Sequence, residues 1–386
     1  MQFFKNPFYI YIISFLTVVL IYQLGWSNLY TKLSILLLFF FLGTFIISLC
    51  FGAIIDKYKP IKYFRIVNSK NSGLVIIIIY FLFILEFINN KGIPLILVFT
   101  TEWYEYTSFG IKTLHPVLVT FTSFYSVYLF HSLLSNKSPK GVVYLVLLMI
   151  IPFLIYNRGM FLINLVSILF VYLMSVRSVR NKIKLFIFLS LFLILYLFGI
   201  LGNYRMTKSF NSDFFLEVSQ TTNSFKESII PNEFMWTYIY MGSPLGNLQK
   251  TIEKNPKINY RIKDFIFTEL VPDFLSKRIS SIVSSKRVEK LNRLTTFMTV
   301  GTIYSRSYIL LGWLGLILMF AFLMIATFIY ILIIPKNSPY FVTGISILCS
   351  FMFFNTFTNM IYFSGISFQL LFPLLFSIKF KFSKND

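Results

Sequence analysis

The feature that leaves this chain least freedom is a succession of uninterrupted apolar runs, of which SILLLFFFLGTFIISLCF is typical. A run of roughly 17 to 25 such residues crosses a ~30 Å hydrocarbon core as a helix, which satisfies its own backbone hydrogen bonds. The alternation at ~10-residue lengths that a membrane β-barrel requires is missing. With 57% hydrophobic and 13% charged residues among 386, and a mean hydropathy of +0.75, the chain carries too much apolar surface for a water-soluble fold. These patterns demand an all-α polytopic membrane protein.

The runs place ten spans over residues 8–24, 33–55, 74–88, 116–134, 142–156, 160–176, 183–202, 308–334, 340–357 and 361–378. They divide the chain into an N-terminal bundle of seven spans (1–202), one long hydrophilic loop (203–306) and a C-terminal bundle of three (307–386). The stretch IPLILVFT is too short to cross and is expected to be interfacial or re-entrant. Only Asn157, Arg158 and Gly159 separate spans five and six, which predicts a tight hairpin or a broken helix. Within the loop, Leu275, Ile279, Ile282 and Val283 recur at helical spacing, as in a short helix lying on a membrane surface or packed on other loop residues. The first run lacks a small-residue cleavage site and is expected to be a retained anchor. Cys50 and Cys349 lie inside apolar runs and form no disulfide framework.

The formal net charge of +21 does not indicate nucleic acid, because much of it lies in short loops between spans. With the N-terminus cytoplasmic, Lys5, Lys57, Lys59, Lys62, Arg65, Lys70, Lys137, Lys140, Arg177, Arg180, Lys182, Lys184, Lys336, Lys379, Lys381 and Lys384 fall inside. The opposite short loops hold Lys32, Lys91, Lys112 and Arg158. This positive-inside bias puts both termini in the cytoplasm and the large loop outside it.

Ionisable groups are scarce within the spans: Glu86 and His131 lie near opposite ends of spans three and four, with Arg158 at the turn. A proton or ion relay normally keeps such groups at mid-membrane, which weighs against a carrier. Arginine collects at the outer boundary instead. Arg158, Arg205 and Arg306 come from three elements, and a guanidinium fork matches phosphate oxygens if the three converge; each alone is also what a snorkelling arginine looks like. His115, with Lys112 one turn earlier, stands at the outer mouth of span four as a candidate acid or base. In MWTYIYMGSPLGNL an aromatic run meets a Gly- and Pro-rich turn, so that Tyr238 and Asn247 suit sugar hydroxyls, with interfacial anchoring as the other reading. The loop carboxylates, Asp213, Glu217, Glu227, Glu233, Asp264, Glu269, Asp273 and Glu289, include no pair selected by spacing. Metal-ligand spacings, P-loops and dinucleotide fingerprints are missing from the sequence, and no cofactor, metal or nucleotide is expected.

The layout, with YNRGMF at the outer turn, GNYRM after span seven, TYIYMGSPLGNL in the loop and YILLGWLGLIL re-entering the membrane, resembles the oligosaccharide repeat-unit polymerase (O-antigen polymerase) family. O-antigen ligases share the many-span layout and large outer loop. The resemblance implies a GT-C-like membrane glycosyltransferase of the bacterial inner membrane that joins undecaprenyl-diphosphate-linked oligosaccharides, one as donor and one as acceptor. Ligase and lipid-linked oligosaccharide flippase are the competing readings, and a flippase and a chain-length regulator are the partners implied. Carried onto this chain, Arg158 and Arg205 hold the diphosphate leaving group, Tyr204, Tyr238 and Asn247 contact substrate, Arg306 is a weaker match, and Lys112 and His115 are candidates for activating the acceptor.

Overall fold

A computed structural model describes residues 2–66, 72–101, 104–105, 109–176, 181–254, 260–278 and 291–378. Among the described residues the one extended pairing is an isolated bridge between Ser27 and Thr221; everything else regular is helical. The first seven expected spans and the short stretch IPLILVFT become α1 (Pro7–Tyr22), α2 (Ile35–Tyr58), α3 (Ser72–Asn89), the short α4 (Pro94–Thr100), α5 (Leu114–Asn136), α6 (Pro139–Leu154), α7 (Arg158–Ser175) and α8 (Asn181–Thr207). The hydrophilic passage holds α9 (Asp213–Val218), α10 (Asn223–Lys226), α11 (Phe234–Glu253), α12 (Ile262–Phe265), a π-helical turn at Ile266–Leu270 and α13 (Asp273–Ser276). Beyond it come α14 (Ile303–Ile333), α15 (Phe341–Phe354), α16 (Ser364–Ser367) and α17 (Leu371–Ser377).

Among the described residues, six helical stretches are long and apolar enough to cross a membrane: Ile35–Tyr58, Ser72–Thr100, Leu114–Asn136, Arg158–Ser175, Leu189–Thr207 and Ile303–Ile333. The protein is a multi-pass α-helical membrane protein. Four further apolar helices, Pro7–Tyr22, Pro139–Leu154, Phe341–Phe354 and Ser364–Ser377, are shorter than the expected spans. One of these, α15, is sheltered from lipid, which removes the need to match its thickness. Every residue of α15 from Phe341 to Met352 is buried, and α1 packs on α2, α11 and α15. At the other extreme, the apolar window of α8 is 17% buried against 72% for α5, so α8 presents Leu189, Leu193, Leu197 and Leu201 outward. Apolar surface that continuous requires a lipid solvent.

Local chemistry sets the helix ends. Asn6 caps α1 by accepting from the Phe8 N–H at 3.1 Å, and its amide donates to Gly52 O and Asp56 Oδ1 of α2, both at 3.1 Å. The predicted hairpin between spans five and six is present: Tyr156 turns at φ +54°, the Asn157 N–H returns to Pro152 O at 2.7 Å, and Asn157 caps α7 through the Met160 N–H. IPLILVFT forms the two-turn helix α4, with Phe99 exposed. The helix expected over 272–285 is represented by α13; residues 279–290 lie outside the described residues.

The helices alternate in direction, so the bundle has two chemically distinct ends. At one, the Lys59 ammonium donates to Leu332 O and Ile334 O, His131 meets Phe64 O, and Lys336 reaches Tyr58 O. The other end is covered by the described residues of 208–254, 260–278 and 291–302 together with the α1–α2 connection. Ser27 donates to Ser219 O at 2.5 Å, Tyr238 accepts from the Trp26 N–H, and Gln249 accepts from the Ser34 N–H. This cap has a small core of its own, in which Phe215 stacks on Trp236 beside Phe225, Tyr238 and Met298.

Two expectations about local structure change. The Gly- and Pro-rich turn at 242–247 is the middle of α11, with Pro244 inside the helix. Its small residues serve close packing, since a Cβ on Gly242 would lie 2.8 Å from the Tyr30 ring. The passage expected over 203–306 is also helical at both ends, with Arg205 in the last turn of α8 and Arg306 in the first turns of α14.

Candidate functional site

The helix α14 is broken near its start. Gly312 adopts φ +63° and ψ −144°, a conformation open to glycine alone, and so splits a short leading segment, Ile303–Leu311, from the long apolar helix. The Leu310 carbonyl accepts from the Arg261 N–H at 3.2 Å, where a continuous helix would have bonded onward. Membrane proteins tolerate such breaks where the freed backbone faces protein or a cavity. Here the leading segment presents Ser305 and Arg306, and the two residues before it, Gly301 and the N-cap Thr302, add to the lining of a cavity of about 320 Å³, which Glu269, Arg293, Thr358 and Asn359 also line.

Glu269 lies in the π-helical turn and is 1% exposed. Its Oε1 is 3.3 Å from Arg306 Nε, and Asn359 Nδ2 donates to its Oε2 at 3.0 Å and to its backbone carbonyl at 2.8 Å. Asn359 is fixed in turn because its Oδ1 accepts from the N–H groups of Ile361 and Tyr362. Burial pushes the Glu269 carboxyl above the usual carboxylate range, against the opposing pull of Arg306 and of the Asn359 and Thr268 hydrogen bonds. The cavity therefore combines two guanidinium groups, one carboxyl of raised proton affinity, hydroxyls, and the positive end of the leading segment of α14. That combination suits a multiply charged anion with a proton acceptor beside it.

A second polar constellation lies at the same end of the bundle. Glu86, fully buried near the end of α3, accepts from the Ile111 N–H at 3.2 Å and meets His115 Nδ1 at 2.8 Å. His115 is held edge-on to Phe109, and its ring occupies the space over Gly110, where a Cβ would lie 2.4 Å from it. A carboxylate on Nδ1 fixes the tautomer and leaves Nε2 as the acceptor, the arrangement of a general base with its orienting acid. Arg278 donates to Thr113 Oγ1, so residues 269–278 run from the cavity to the neighbourhood of this dyad.

The predicted site residues are distributed as follows. Arg306 lines the cavity and lies over the Tyr362 ring. His115 belongs to the dyad, and Lys112 is exposed beside it. Arg158 and Arg205 have separate surroundings: the first donates to the Tyr156 hydroxyl at 2.5 Å, and the second donates to Tyr240 at 3.2 Å and lies over Trp236. Neither lines the cavity, so the three arginines do not share one pocket. Tyr204 is half exposed and stacks on Phe210. Tyr238 and Asn247 are buried, and their polar atoms serve the cap. The Tyr238 hydroxyl accepts from Trp26, while Asn247 Nδ2 donates to Met298 O at 2.8 Å and Val300 O at 2.7 Å and its Oδ1 accepts from the Leu294 N–H at 2.7 Å. Sequence reasoning left Glu269 unselected among eight carboxylates and gave no role to Arg293 or Asn359. The one signal for Asn359 was two asparagines, Asn355 and Asn359, interrupting an apolar stretch at a span junction.

Comparison of the chain with protein-family models, with curated proteins and with solved structures gives no match in any of the three.

Proposed function

We propose that this protein is a membrane glycosyltransferase of the polymerase kind, which joins undecaprenyl-diphosphate-linked oligosaccharides at the non-cytoplasmic face of a bacterial inner membrane. The observation that carries this reading is the cavity in which Arg293, Arg306 and the start of α14 surround the buried carboxyl of Glu269. Among the described residues, Lys57, Lys59, Lys62, Arg65, Lys137, Lys140 and Lys336 cluster near the opposite end of the bundle, which by the positive-inside rule is cytoplasmic. The capped end then faces outward, where flipped lipid-linked sugars present their diphosphates.

In this mechanism the guanidinium groups hold the donor diphosphate. The acceptor hydroxyl oxygen attacks the donor anomeric carbon, the bond from that carbon to the diphosphate oxygen breaks, and the electron pair leaves on the diphosphate. Glu269, as a carboxylate, takes the hydroxyl proton, a task that raised proton affinity favours. Preorganised cations stabilise the charge developing on the leaving group without reorganising. The His115–Glu86 dyad is the alternative base.

The test uses purified protein in lipid nanodiscs with lipid-linked repeat units, followed for a polymer ladder and release of undecaprenyl diphosphate. Arg306→Ala is expected to lower turnover by about 10²–10³-fold, the typical effect of removing one electrostatic stabiliser. A single transfer to another glycolipid would identify a ligase, and translocation without bond formation a carrier. Full activity in the Arg306→Ala variant would refute the site.

A further inference from the structure

We infer that the turn between α10 and α11, Ser228–Phe234, is a wedge by which the cap inserts into the lipid leaflet beside α8. The sequence SIIPNEF puts two isoleucines and a proline at the tip of a hydrophilic passage, and Ile229 is wholly exposed. An isoleucine projecting from the cap into water would gain nothing from folding. Its surroundings point to lipid instead. Phe234 packs against Phe192 of α8 with ring centroids 4.8 Å apart and also meets Tyr196, both inside the apolar stretch Leu189–Thr207. The Glu233 carbonyl lies so close to Gly199 that a Cβ there would collide with it. Gly199 stands six residues before Arg205, about 9 Å along the helix. The turn therefore lies alongside the span, below the level at which α8 ends.

Three observations select lipid as the partner. The surface that the turn adjoins is the one α8 leaves open through Phe192, Leu193, Leu197 and Leu201, so the wedge continues a face that already requires hydrocarbon. The turn also returns much of its backbone to itself: the N–H groups of Phe234, Met235 and Trp236 donate to Pro231 O, Asn232 O and Glu233 O, and that of Ile230 to Ser228 Oγ, so these donors can leave water without losing their partners. Finally, Arg205 lies over Trp236 and donates to the Tyr240 hydroxyl, and Lys208 lies over Tyr204, the pairing of cations with aromatic rings that suits the headgroup layer. The charges of Lys226, Glu227 and Glu233 limit the insertion to the boundary between headgroups and acyl chains, within ~5–10 Å of the surface. Because α11 runs on from the wedge to Asn247, it ties this anchor to the strip 294–300. The inference requires only that α8 spans the membrane and is independent of the reaction proposed above.

The experiment places a nitroxide on the full-length protein through Ile229→Cys, or through Ile230→Cys if the first variant does not fold, in phosphatidylcholine liposomes. Cys50, the exposed native thiol, is replaced by serine, and Cys349 is buried. Collisions of the nitroxide with oxygen, which concentrates in hydrocarbon, and with a water-soluble nickel chelate are read by electron paramagnetic resonance. Leu201→Cys on the open face of α8 and Glu217→Cys on the exposed side of α9 are the lipid and water standards. The label at 229 is expected to match the one at 201, with frequent oxygen contact and loss of nickel contact. Nickel contact at 229 equal to that at 217 would put the turn in water and overturn the inference. Shielding from both reagents would mean that protein covers the turn, and would overturn it equally; broadening that disappears on dilution with unlabelled protein would then identify the cover as a second copy of this chain. Nickel reaching position 201 would remove α8 from lipid and the inference with it.

Discussion

Replacing Asn247 by alanine tests whether this side chain builds the site or touches the substrate. Its amide spans α11 and the strip 294–300, accepting from Leu294 N–H and donating to Met298 O and Val300 O. That strip continues into Thr299, Val300 and Gly301, which form one wall of the cavity. Truncation removes three hydrogen bonds and leaves three backbone groups to find other partners. An orphaned buried group costs about 1–3 kcal/mol. Met298 is 4% exposed whereas Val300 is 41% exposed, so water can reach the Val300 carbonyl and its cost is the smallest of the three. A total near 4 kcal/mol follows, allowing about 1.5 kcal/mol for each of the two sheltered groups and about 1 for the third. For a large domain that corresponds to a fall in Tm of roughly 8–16 °C. Asn247→Asp, which keeps the shape but turns the donor into an acceptor facing two carbonyls, should lose at least as much. The assay is thermal unfolding in detergent alongside diphosphate binding. An Asn247→Ala protein as stable as wild type but unable to bind a glycan-bearing substrate would refute the structural role and restore a direct sugar contact.

The dyad makes two further predictions. Glu86→Gln removes the carboxylate that orients His115; if the dyad is the base, turnover should fall about 10²-fold or more with KM little changed, whereas an unchanged rate would assign the proton transfer to Glu269. Gly110→Ala should cost about 2 kcal/mol or more, because the residue sits at φ +98° and the new Cβ would press on the imidazole; equal stability by thermal unfolding would contradict that packing.

Much of the architecture was legible because lipid imposes one dominant rule on sequence. Each of the ten expected spans contains an apolar helix, and the Asn157 hairpin was readable because Pro152, Asn157 and Gly159 each punctuate a helix in a known way. What escaped was set by tertiary contact. Pro244 with Gly242 and Gly246 spells a turn in local chemistry, yet α11 runs through it because burial of Met235, Tyr238, Leu245 and Leu248 outweighs one missing N–H bond. Glu86 and His115 were each noticed at a membrane boundary, but their pairing joins residues far apart in sequence and depends on Gly110 making room. Glu269 has no local mark to separate it from Asp273 or Glu233. Only the fold shows that Asn359 and Arg306 converge on it.

The placement of Glu269 also decides which anions the cavity should hold. At 3.3 Å and an effective dielectric near 20, its attraction for Arg306 is about 5 kcal/mol gross. Arg306 is 45% exposed, so solvent screening reduces this to about 1–2 kcal/mol. An incoming anion must overcome that internal partner. Orthophosphate gains little over the carboxylate it displaces, whereas a diphosphate spans both Arg293 and Arg306 and retains an advantage. Glu269→Gln should therefore tighten orthophosphate binding roughly tenfold, the equivalent of about 1.4 kcal/mol, while tightening diphosphate less. The pH dependence has the matching sign. Because burial raises its pKa, Glu269 is neutral below the raised value and Arg306 is then free, so orthophosphate binding relative to the Gln variant should weaken as pH rises through that value. The comparison with Glu269→Gln cancels the titration of the probe itself. Calorimetric titration of both anions across pH would settle the matter: identical discrimination in the two proteins would mean that Glu269 does not compete for Arg306, and the cavity would have to select its ligand by shape alone.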